Sequence, residues 1–208
     1  MPDKPIHLFL LETFLWLPIT FFLWYYFASV LIVPVTFLVR VLMTNGWPTW
    51  IETVEQQGHL LEITTSITLP INVGIPEGAQ ALFAFDVNPL LYGYGLPFFM
   101  ALTFAVPNML GRKLRQVSLA WLFILLPVQT FCVIVLILKV LVFQTEPSIS
   151  SQIVSTPFGR ETVALAYQFS SLILPPVTPL VIWMFLNRDY LRVLAPQVTS
   201  ISVKPNKG

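Results

Sequence analysis

The sequence predicts a mainly α membrane protein: a four-helix transmembrane bundle with a small extracytoplasmic β-hairpin segment between spans 1 and 2. Three observations carry this. Apolar residues make up 56% of the 208 residues and charged ones only 10%, against about 25% charged in an ordinary soluble domain. The apolar residues gather in four long runs with no charge near their middles, and each run supplies the roughly 20 residues that a membrane helix needs. The sizeable stretch between the first two runs, 46–89, changes its hydrophobic period to two.

The first run, Thr13–Val39, exceeds the roughly 7–15 apolar residues of a signal peptide. Glu12 precedes it where a signal carries positive charge, so it reads as a retained span. The second span is 90–110, the third 117–143 and the fourth 162–187. Every span contains proline: Pro18 and Pro34, Pro97 and Pro107, Pro127, then Pro175, Pro176 and Pro179. Proline removes a backbone donor, so these spans should be kinked, the last most of all. Glu12, Arg40 and Lys139 lie near span ends, where long side chains reach water. Glu146, Glu52 and Glu55 are the expected partners of the two cations.

Charge sets the direction. The connection Gly111–Gln116 holds Arg112, Lys113 and Arg115, and the C-terminal tail holds Arg188, Arg192, Lys204 and Lys207. Lys4 lies before the first span. The other two connections hold Glu52, Glu55, Glu62, Glu77, Asp86, Glu146 and Glu161, with Arg40, Lys139 and Arg160 the only cations on their side. The positive-inside rule then places both termini in the cytoplasm. Net charge is +1, which offers no electrostatic case for nucleic acid.

Within 46–89, Trp47 and Trp50 suit the headgroup region. The segment IETVEQQ puts Trp50, Ile51 and Val54 on one helical face, which predicts a short interfacial helix stopped by Gly58. Leu61, Ile63, Thr65, Ile67 and Leu69 then alternate with polar neighbours, and Ala81, Phe83, Phe85 and Val87 do so again. Two such runs predict an antiparallel hairpin with a long loop through Pro70, Gly74, Pro76 and Gly78. Its apolar face needs a cover, from span ends, from the strand-like Ile149–Val154, or from a partner on the free strand edge.

The hairpin runs into Asp86-Val87-Asn88-Pro89-Leu90-Leu91-Tyr92-Gly93-Tyr94-Gly95-Leu96-Pro97. Asp86 and Asn88 before Pro89 favour a turn that opens a helix, with Pro89 at its first position. Gly93 and Gly95 permit close approach of another backbone. Tyr92 and Tyr94 sit at interface depth with their hydroxyls expected to stay wet. Asp86, Asn88, Tyr92, Tyr94 and Arg160 are the candidate partner-contact or pocket residues.

FLWLPITFFLWYYFAS (Phe14–Ser29), VEQQG (Val54–Gly58) and FDVNPLLYGYGLP (Phe85–Pro97) together resemble the bacterial exosortase H-associated membrane proteins. The resemblance covers the first half and the overall layout. It implies a bacterial inner-membrane protein that accompanies an exosortase, an enzyme processing sorting signals on exported proteins. It implies no mechanism of its own.

The residues themselves argue against a catalytic set. Cys132 stands alone in an apolar run with no histidine near it in sequence, and reads as a small residue within a helix. His7 and His59 fall on opposite sides of the membrane and cannot share a metal. No HExxH, CxxC, P-loop or GxSxG pattern occurs. The expectation is a non-catalytic accessory protein without cofactor, whose partners are the bilayer and an exosortase or its exported substrates. The alternative is a small structural subunit of another membrane complex.

Overall fold

The computed structural model describes residues 4–68, 82–144 and 159–194. The strand-like Ile149–Val154 and the long hairpin loop fall outside these residues. Helix α1 (Lys4–Tyr26) is followed by α2 (Ala28–Gly46), then strands β1 (Ile51–Gln57), β2 (Leu60–Thr68) and β3 (Leu82–Val87). Next come α3 (Leu90–Gly93), α4 (Gly95–Ala105), α5 (Leu110–Ala120) and α6 (Leu126–Phe143). The described residues end with α7 (Arg160–Gln168), α8 (Leu174–Leu186) and α9 (Arg188–Leu194). One-turn π-helices, Trp121–Leu125 and Phe169–Ile173, join α5 to α6 and α7 to α8.

Among the described residues, four helical stretches are long and apolar enough to cross a membrane: Ile6–Tyr26, Ala28–Gly46, Leu110–Phe143 and Arg160–Leu186. The count matches the sequence reading and the membership differs. The predicted span 13–39 divides at Phe27. The predicted span 90–110 closes at Ala105, because Pro107 pushes Val106 into extended backbone. The stretch Gly111–Gln116, read as a connection, is the opening of α5. Its Arg, Lys, Leu and Gln are good helix formers, and the true connection is Val106–Met109.

Both π-turns end two residues before a proline, Pro127 and Pro175. A proline ring collides with the carbonyl four residues back, and a wider turn relieves that contact. The bend expected in the last span thus begins as a change of winding ahead of Pro175.

The chain forms two compact units. One holds the described residues of Met1–Tyr25, Tyr94–Leu125 and Pro176–Gly208. Aromatic pairs tie it together. Phe9 stacks on Trp183 at 5.2 Å and meets Tyr190 edge-on at 5.8 Å, and Trp16 stacks on Phe104 at 5.1 Å.

The other unit holds the described residues of Tyr26–Gly93 and Leu126–Pro175. Its strands form one antiparallel sheet in the order β1-β2-β3. The predicted hairpin is therefore the β2–β3 pair, with Ile63 opposite Phe85 and Leu61 opposite Val87. The predicted interfacial helix is instead β1. A register shift lets Glu52 and Thr53 together oppose Thr64, so Ile51 and Val54 both face inward three residues apart. That bulge imitates helical spacing in the sequence. Gly58, at φ +64°, is the left-handed residue of the tight β1–β2 turn rather than a helix stop.

Ile32, Val35, Val39 and Met43 of α2 bury against this sheet and α6. Polar bonds fix the register between α2 and β1. Gln56 Nε2 donates to the Ser29 carbonyl (2.8 Å), and Arg40 Nε donates to the Val54 carbonyl (2.8 Å). Arg40 thereby satisfies an edge carbonyl of the sheet instead of meeting Glu52 or Glu55.

Candidate functional site

β3 delivers the chain to α3 as the sequence predicts. Asn88 Oδ1 accepts the Leu90 N–H at 3.0 Å and opens the helix, with Pro89 between them. The Pro89 carbonyl accepts from Gln129 Nε2 of α6 at 3.0 Å, which pins the turn to the unit's main helix. Tyr92, one turn on, is buried. Its phenol hydrogen-bonds with that of Tyr167 on α7, so the hydroxyl expected to be wet is satisfied inside the protein.

Tyr167 carries a second contact. Lys139 Nζ lies 5.3 Å from its ring centroid, a cation–π distance. No carboxylate pairs with Lys139 among the described residues. Beside this pair, the fully buried Cys132 donates its thiol to the Ser170 carbonyl at 3.1 Å. The reason lies in the π-turn. Leu174 N–H reaches back five residues to Phe169. By the same winding Ser170 would take its bond from residue 175, a proline with no N–H. Cys132 supplies the missing donor. A buried carbonyl without one would be costly.

The candidate residues do not gather into one polar set. Asp86 is exposed on the outer face of the sheet, opposite Glu62, which in turn stands opposite Glu55. Asn88 caps α3. Tyr92 points inward. Arg160, at the start of α7, lies 5.8 Å from the Phe143 ring. Tyr94 is a half-buried residue at the head of α4 in the other unit.

Sequence reasoning missed Gln129, Cys132, Lys139, Tyr167 and Ser170 as one assembly. A signal existed: Cys132 and Lys139 are seven residues apart, and Tyr167 and Ser170 three apart, so each pair shares a helix face. Read singly, each looked like an isolated polar residue in an apolar run.

The assembly fixes the junction between sheet and helices, and its polar bonds among the described residues are internal. The solvent-facing side of the sheet beside it carries the carboxylate row Glu55–Glu62–Asp86, and β3 is its end strand among the described residues. Gln57 also donates to the Glu62 carboxylate on this face.

No curated protein and no solved structure shows significant similarity to the chain. A family model does match, over residues 3–190, and with the apolar helices it links this membrane protein to exosortase systems: the chain belongs to the exosortase H-associated membrane protein family.

Proposed function

We propose that the chain is a non-catalytic accessory protein that assists an exosortase-type sorting enzyme at the outer face of the bacterial inner membrane. Its contact surface is the outward face and β3 edge of the sheet, held by the Asp86–Pro97 junction. One observation carries this reading: three carboxylates stand in register on that face. Like charges directly opposite one another destabilise a sheet. A surface that costs the fold stability is suited to a partner that brings compensating positive charge.

The same reading assigns the membrane crossings. β1 runs along α2 and bonds to it from Ser29 to Arg40. An open sheet edge and a carboxylate row do not survive in hydrocarbon. So α2, although long enough to cross, lies with the sheet outside, its exposed Val30, Val33 and Phe37 facing the membrane boundary. The crossings are then α1, α3–α4, α5–α6 and α7–α8, with both termini cytoplasmic. In a Cys132→Ser background, Thr53→Cys should react with a membrane-impermeant maleimide added to intact spheroplasts. Protection until lysis would put the sheet inside and overturn the topology.

The function is tested by co-purification from mild detergent. The wild-type chain should recover an exosortase, and the triple change Glu55→Lys, Glu62→Lys and Asp86→Lys should release it while the chain still accumulates. Normal processing of exosortase substrates after deletion of the gene, with no enzyme recovered, would sink the proposal.

A further inference from the structure

A second candidate surface lies in the all-helical unit. Two adjoining hollows meet at Pro107, Asn108 and Arg112. The larger, about 650 Å³, is an open depression lined also by Met109, Gly111 and Arg115. The smaller, about 360 Å³, runs on to Gln116, Asn187, Asp189 and Tyr190.

The charges around these hollows are unequal. Asp189 is engaged by Arg192 at 3.4 Å. Lys113 turns away, donating to the Phe104 carbonyl at 2.7 Å. Arg112 and Arg115 form no ion pair among the described residues. Two exposed guanidinium groups three residues apart on one helix therefore have no counter-ion among the described residues. Guanidinium matches phosphate oxygens in charge and in fork geometry.

Three further observations narrow the ligand. The Gln116 side-chain oxygen is buried without a hydrogen-bond partner among the described residues, so the smaller hollow wants a hydroxyl or N–H donor. Burial, with the charge of Glu12, pushes the Tyr190 phenol up, which keeps that hydroxyl protonated. At the mouth of the larger hollow the side chain of Met109 is 86% exposed, and Leu110 and Leu114 are exposed on the same helix. An apolar rim beside a basic hollow on a membrane helix suits acyl chains above a headgroup.

We infer that this double hollow binds the headgroup of an anionic phosphoglycerol lipid. The phosphodiester sits on Arg112 and Arg115, and a glycerol hydroxyl donates to Gln116. The site is independent of the exosortase-linked reading and could stand if that reading failed.

The test uses the full chain in neutral detergent, with lipid binding followed by native mass spectrometry. Phosphatidylglycerol should be retained in preference to phosphatidylcholine. Each of Arg112→Gln and Arg115→Gln should weaken retention about fivefold, the loss of one cation near an anionic headgroup. Arg188→Gln removes an equal charge from an exposed residue that lines neither hollow, and should leave retention nearly unchanged. Phosphatidylmethanol, which keeps the phosphodiester and lacks the hydroxyls, should bind more weakly than phosphatidylglycerol. Gln116→Met should erase that difference. Equal losses from Arg188→Gln would mean diffuse surface charge and overturn the proposal. So would displacement of the lipid by inorganic phosphate or glycerol phosphate at matched concentration, which would make this a soluble-anion site.

Discussion

The two compact units are held together by different means. Among the described residues, eleven large side chains are less than 2% exposed, and all but Phe99 belong to the sheet-bearing unit. That unit has an interior of valine, isoleucine and leucine between α2, the sheet and α6. The other unit relies on a few aromatic stacks and small buried residues such as Ala101 and Ala105, and leaves Leu8, Phe14, Phe22 and Phe185 exposed. Hydrocarbon is as apolar as leucine, so apolar helices in a membrane gain little by burying more of their surface. A unit that carries a polar sheet must exclude water from its own core to be stable. The comparison teaches where stability resides: the sheet-bearing unit should be sensitive in its interior, and the helical unit at its polar ties.

The strongest way to break that comparison is Ile63→Ala. Ile63 is fully buried in the central strand. Its truncation should cost about 3 kcal/mol, as large-to-small changes in packed cores do. Unfolding in mixed micelles by SDS titration would measure this. A loss below about 1 kcal/mol would mean the unit is loosely packed despite its burial. Next in size is Cys132→Val, which keeps the volume and removes the donor to the Ser170 carbonyl. Leaving that carbonyl unpaired should cost about 1.5 kcal/mol. Cys132→Ser retains a donor and should cost clearly less. Equal costs would mean that packing, and not the hydrogen bond, holds the π-turn.

Much of this fold was legible before any coordinate. The apolar runs matched the count, though not the membership, of the four helices long and apolar enough to cross a membrane, and the period-two pattern marked the antiparallel β2–β3 pair and its inward residues Leu61, Ile63 and Val87. Asn88 and Pro89 opened α3 as turn chemistry requires. The misses have physical causes. The bulge at Glu52 and Thr53 changed a period of two into a spacing of three, so β1 looked helical. The break at Phe27 lies two residues before Ser29, whose carbonyl takes a bond from a strand 27 residues away in sequence, and no local pattern encodes such a contact. The candidate site was half legible. Tyr92 and Asn88 were found at the junction. Their partners Tyr167 and Gln129 were not, because pairings between distant helices leave no mark on a single run.

Gly58→Ala should sharpen the account of β1. Nothing lies within 4 Å of an added Cβ, so sterics with neighbours play no part. The cost is the left-handed backbone alone, about 1 kcal/mol. Gly58→Asn should recover part of it, since asparagine tolerates that conformation better. A neutral or stabilising Gly58→Ala would mean that Gly58 does not hold a left-handed turn between β1 and β2.

The smallest expected effect tests the helical unit. Lys113 is tied by its ammonium to the Phe104 carbonyl and lies 6.0 Å from that ring. Helix α4 ends at Ala105, so the Phe104 carbonyl has no residue four ahead in the same helix to bond it. Lys113 fills that vacancy from α5 and closes the Val106–Met109 connection. Lys113→Met keeps the aliphatic stem and removes the donor. The side chain is only half-buried, so water can replace part of the bond, and the loss should be about 0.5 kcal/mol. The same variant leaves Arg112 and Arg115 in place and should retain phosphatidylglycerol. A loss as large as that of Ile63→Ala would show that this unit depends on one polar tie as heavily as the other depends on its core, and the contrast between them would dissolve.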